Sequence, residues 1–128
     1  MAIQVDMIGI VVSNMAAALR FYRMLGLTIG DSMDTENHVE VITANGYRIA
    51  WDTEALIKSI EPGWVQPLGH RMGLAFKCDS PAEVDAAYHK LVAAGYASRK
   101  EPWDAFWGQR YALVSDPDGN PADLFAAL

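Results

Sequence analysis

The chain has 128 residues, 52% of them hydrophobic and 20% charged, with a formal net charge of −6. That is long enough for one domain with a buried core, too acidic to suit a nucleic-acid backbone, and its apolar runs are too broken by charge and Gly to span a membrane. One cysteine, Cys78, forms no internal disulfide and fits a reducing cytoplasm, and with neither a basic n-region nor an apolar h-region at its start the chain is not expected to be exported.

In chain order, Ile3 to Val12 alternates as a strand, with Ile8, Ile10 and Val12 on one face and Met7, Gly9 and Val11 on the other. Asn14 has N-cap chemistry; Met15, Leu19, Tyr22 and Leu25 recur at helical spacing, and Gly26 suits the position after the helix. Residues 27–33, 38–43 and 47–51 read as strands, the last two joined at Asn45-Gly46, a two-residue hairpin signal. Residues 52–69 read as a linker, with a short helix over 54–60 and Pro62-Gly63 and Pro67-Leu68-Gly69 as breakers.

The pattern then restarts. His70 to Cys78 is strand-like, and Ser80-Pro81-Ala82-Glu83 is a capping box with Pro at the first helical position. Val84, Ala87, Tyr88, Leu91 and Val92 form an apolar stripe that Gly95 closes, and residues 97–101, 108–114 and 121–127 are the last strands. The chain therefore reads as a single α+β domain over 1–128, made of two tandem β-α-β-β-β modules at 3–51 and 70–127 that repeat in pattern more than in sequence.

Two blocks carry a resemblance. One is Asp116-Pro117-Asp118-Gly119-Asn120 between the last two strands. The other is Asp6-Met7-Ile8-Gly9-Ile10-Val11-Val12-Ser13-Asn14 with Leu19-Arg20-Phe21-Tyr22 and Leu25-Gly26-Leu27. Together with 69–95 they resemble the glyoxalase/bleomycin-resistance/extradiol-dioxygenase superfamily, the vicinal oxygen chelate fold. The resemblance implies that the modules pair edge to edge into an eight-stranded, cup-shaped sheet, and that the chain forms a homodimer. It also implies a divalent metal in the superfamily's enzymes, held by His and Glu or Gln. Carried over residue by residue, the metal positions fall on Met7, on Ala50 (or Trp51 if the register slips), on Gly73 and on Asp123. Only Asp123 keeps an oxygen donor, so neither a metal nor another cofactor is expected.

The histidines do not restore a metal site on paper. His89 lies off the apolar stripe, His70 points to the face opposite Gly73, and only His38, at a strand start, could approach the rim of the cup. Cys78 falls on the helix-covered face, and no GxSxG or phosphate loop is present. Aromatic side chains are left, with Trp103-Asp104-Ala105-Phe106-Trp107 read as a loop that leads into Gly108-Gln109-Arg110. In metal-free relatives of the family, aromatic residues of this region stack on flat ligands. The expected function is metal-independent binding of a small, flat or aromatic organic molecule, with Met7, Trp51, Trp103, Phe106, Trp107 and Arg110 as ligand-binding residues and Asp123 beside them. Two alternatives stand. One is a superfamily lyase, isomerase or dioxygenase with Asp123 as a catalytic general base. The other is a dimeric interaction module without a ligand, its aromatics under a partner chain.

Overall fold

The two long helices begin by the same device. The Asn14 carboxamide oxygen accepts the Ala17 N–H at 2.9 Å, and Ser80 Oγ accepts the Glu83 N–H at 3.2 Å while Glu83 reaches back to the Asp79 N–H at 2.8 Å. The computed structural model describes residues 2–128, with Met1 outside them. The chain separates into two compact units, residues 1–66 and 67–128.

In the first unit β1 (Ile8–Val12), α1 (Met15–Met24), β2 (His38–Ile42), β3 (Arg48–Thr53) and α2 (Glu54–Ile60) follow one another. The sheet order is β1-β3-β2, with β1 parallel and β2 antiparallel to β3. Met15, Ala18, Leu19, Phe21 and Tyr22 form the buried side of α1, and with Val12, Val39, Ile49 and Trp51 they make the core. The second unit runs β4 (Leu74–Lys77), α3 (Pro81–Ala93), β5 (Ser98–Ala105), β6 (Gln109–Ser115) and β7 (Pro121–Ala127), in sheet order β4-β7-β6-β5. Its core joins Val84, Tyr88 and Leu91 of α3 to Ala112, Val114, Ala122, Leu124 and Ala126 of the sheet.

The α+β class and the tandem modules are as the sequence implies, but seven strands form among the described residues where eight were expected. The missing strand is 27–33, where the chain is irregular and then enters a 3-10 helix at Asp31–Thr35. The reason is Arg23 on α1. Its guanidinium donates to Ile29 O at 2.7 Å, to Gly30 O at 2.8 Å and to Asp34 Oδ1 at 2.8 Å. Carbonyls held by a guanidinium are not free for a neighbouring strand. The first strand also begins at Ile8, with Ile3 and Val5 95% and 97% exposed, and the fourth covers only 74–77 of the expected 70–78.

The hairpin turns differ from expectation in one respect. Gly46 N donates to Thr43 O at 2.9 Å and Thr43 N to Tyr47 O at 2.8 Å, which makes a three-residue loop with Gly46 at φ +90° in place of a two-residue one. The same loop recurs at Pro117-Asp118-Gly119 and at Phe106-Trp107-Gly108, each with its glycine at positive φ. Trp103, Asp104 and Ala105 consequently belong to β5, and only Phe106 and Trp107 sit at the turn. Asp116 is a turn former: its carboxylate accepts the backbone N–H groups of Asp118 and Asn120 at 2.9 and 2.8 Å.

Replacing Arg23 with Met keeps the aliphatic stem and removes the three donated bonds. Amide exchange at Met33 and Glu36 should accelerate, and urea unfolding should show a loss of roughly 1–3 kcal/mol.

Candidate functional site

Because side chains alternate across a strand, α3 covers only one face of the second sheet. The opposite face is described by two rows read across the strands. Lys100, Leu113, Asp123 and Ala75 are register partners in the first row, and Trp103, Tyr111, Phe125 and Lys77 in the second.

The aromatic row is continuous. The Tyr111 ring lies 5.6 Å from Trp103 and 5.3 Å from Trp107, both edge-to-face, and 6.2 Å from Phe125 in a stacked arrangement. Lys100 Nζ stands over the Trp103 ring at 3.9 Å. The Tyr111 hydroxyl donates to Asp123 Oδ2 at 2.9 Å. Burial, and then this bond to a carboxylate, push the Tyr111 pKa up to about 12, so at neutral pH the phenol keeps its proton and acts as a donor. Arg99 Nη1 is 3.5 Å from Asp123 Oδ1, an ion-pair distance without hydrogen-bond geometry, and that buried oxygen has no hydrogen-bond donor.

Trp103, Trp107 and Asp123 of the sequence candidates come together here. Phe106, 97% exposed, caps the hairpin against Trp107 with ring centroids 5.0 Å apart. Two candidates, Trp51 and Arg110, turn to the helix-covered face of their own sheets. Trp51 is fully buried beneath α1, its ring 5.3 Å from Tyr22, because β3 pairs it with Ile10 and Val39 on the helix-covered face. Arg110 is one residue out of phase with Tyr111 and reaches α3, where it donates to both oxygens of Asp85 at 2.9 and 3.2 Å and also to Asp104. Met7 lies in the first unit, in an open recess of about 350 Å³ lined by Val5, Asp6, Met7, Ile8, Gly46, Tyr47 and Arg48. Tyr111, Phe125, Arg99 and Lys100 were missed. The 109/111/113 alternation in Gln109-Arg110-Tyr111-Ala112-Leu113 held the signal for Tyr111, since Ala112 and Val114 had to face the core.

The uncovered face of the first sheet carries a chain of charges. His38 Nδ1 is 2.5 Å from Asp52 Oδ1 and its Nε2 is 3.5 Å from Glu40, while Arg48 bridges Glu40 at 2.6 Å and Asp6 at 2.5 Å. The hydrogen bond to Asp52 is the main cause that holds the His38 pKa above its ordinary 6.5. The Arg48 guanidinium holds the Glu40 carboxyl below its usual range.

The residues at the family's metal positions do not fit a metal. Ala50 and Gly73 have no donor, and a Cβ at Gly73 would stand 3.0 Å from Pro121 Cβ, so the site has no room for a longer side chain without a shift. Asp123 is engaged by Tyr111 and Arg99. Among the described residues no three His, Cys, Asp or Glu side chains group as metal ligands, and no helix is long and apolar enough to cross a membrane. Burial pushes the Cys78 thiol up, which disfavours its thiolate.

The paired His38 contributes stability that is fully present below pH 6.5 and is lost as pH rises through its higher folded value. A proton NMR titration should place the His38 midpoint above 6.5, and Asp52→Asn should lower it. An unchanged midpoint in that variant would contradict the assignment.

A family model described as Glyoxalase/Bleomycin resistance protein/Dioxygenase superfamily matches residues 4–124. Among solved structures, a glyoxalase/bleomycin resistance protein/dioxygenase family enzyme from Burkholderia phytofirmans superposes with a TM-score of 0.84 at 18% identity over 96% of this chain and 98% of that one. A glyoxalase/bleomycin resistance protein/dioxygenase from Nocardioides gives 0.75 at 26% identity over 100% and 85%. A superfamily member from Sphaerobacter thermophilus gives 0.69 at 28% identity over 98% of each chain. No curated protein matches the chain.

Proposed function

Because the chain belongs to the Glyoxalase/Bleomycin resistance protein/Dioxygenase superfamily, where one fold serves both metal enzymes and metal-free binders, we propose that it binds and sequesters a small, flat aromatic molecule without a metal. The observation that carries this reading is the row Trp103-Tyr111-Phe125 with Trp107 beside it, on the sheet face that α3 leaves uncovered. Edge-to-face neighbours leave ring faces and edges at the boundary of the cluster for a further ring. Trp107 is 47% exposed and therefore reachable. The Tyr111–Asp123 bond fixes the central phenol, so the wall is ordered before a guest arrives, which lowers the entropic cost of binding.

A reading of Asp123 as general base is less well supported. One oxygen accepts a hydrogen bond from the Tyr111 hydroxyl, and the other is buried 3.5 Å from the Arg99 guanidinium, whose charge opposes protonation of the carboxylate.

The test uses nitrogen-15-labelled protein and a panel of planar aromatic compounds, followed through the four indole N–H resonances. Those of Trp103 and Trp107 should move on binding and that of buried Trp51 should not. Trp103→Ala should weaken binding about two- to tenfold, the equivalent of ~0.5–1.5 kcal/mol for a lost ring pair. A panel that moves no indole, or a Trp103→Ala variant that binds as the wild type does, would sink the proposal.

A further inference from the structure

The guest's charge can be read from an irregularity in β5. The register of β5 against β6 shifts between Ser98 and Lys100 and again between Lys100 and Trp103. In a regular strand Arg99 and Lys100 would point to opposite faces. Here the irregularity re-aims the side chains, and both cations reach the aromatic face: Lys100 over Trp103 at 3.9 Å and Arg99 beside Asp123 at 3.5 Å. Lys77 stands on the same face as the register partner of Phe125. Three of the chain's ten lysines and arginines thus lie on this patch, against the single carboxylate of Asp123.

Resting on the aromatic reading above, we infer that the site is selective for planar aromatic monoanions, an aromatic carboxylate being the simplest, with Arg99 and Lys100 as the residues that set this preference. Arg99 is held at 3.5 Å without a hydrogen bond to Asp123, so its donors are available to a ligand carboxylate at little cost. Lys100 already occupies the Trp103 face with an ammonium, so a cationic guest would have to displace it, whereas an anionic guest gains from its charge. Tyr111, protonated up to about pH 12, adds no opposing charge.

The test is calorimetric titration of the full chain with three matched probes: 2-naphthoate, neutral 2-acetylnaphthalene and 2-naphthylmethylammonium. The anion should bind about fivefold more tightly than the neutral probe, the scale of one partly exposed ion pair, and the cation most weakly. The preference should shrink as salt is raised. Arg99→Gln and Lys100→Gln should each reduce the anion-to-neutral ratio, and Arg99→Lys should retain part of it. Lys90→Gln, at an exposed position of α3, makes the same change in net charge and should leave the ratio intact. Equal affinities, a preference for the cation, or a ratio that falls as much in Lys90→Gln would overturn the charge inference and leave the aromatic site standing. If none of the three probes binds, the aromatic reading fails and this inference falls with it.

Discussion

Helix α3 claims one face of the second sheet, and every feature of the candidate site follows from that. With Ala112, Val114, Ala122, Leu124 and Ala126 committed to the helix, the pleat sends Tyr111, Leu113, Asp123 and Phe125 the other way. A slip of one residue in β6 would exchange Tyr111 for Arg110 and strand an arginine among aromatic rings while burying a phenol under α3. The Arg110–Asp85 ion pair opposes such a slip because it ties the alternate position to the helix.

The two units follow one plan and finish it differently. Sheet order β1-β3-β2 is β4-β7-β6-β5 without its last strand, and the guanidinium of Arg23 sits where that strand's carbonyls would need to be free. The exposed faces diverge as well. One carries the Asp52–His38–Glu40–Arg48–Asp6 chain, in which each charge has a partner. The other carries rings framed by cations. A shared backbone plan therefore does not give shared chemistry, and function has to be argued from each face by itself.

Local charge and total charge pull in opposite directions here. The chain's formal −6 would repel an anion at long range, but at physiological ionic strength such fields fade over about 8 Å. A guest at the aromatic face would meet Lys100, Arg99 and Asp123. On the proposed reading, the sign of the nearest charges, rather than the net charge, would govern what the aromatic wall favours.

Helix starts, helix stops and turns were legible in the sequence because they are local. Asn14, Ser80, Gly95 and Asp116 each satisfy backbone groups within a few residues, and the structure uses each in the place its chemistry predicts. The aromatic content around Trp103 and Trp107 was legible for the same reason. What only the tertiary structure decided was direction and company: that Trp51 goes inward, that Arg110 goes to Asp85, that Phe125 stacks on Tyr111, and that residues 27–33 never become a strand. The first three turn on partners distant in the chain and the last on the reach of one arginine side chain, and a one-dimensional pattern of alternation carries neither.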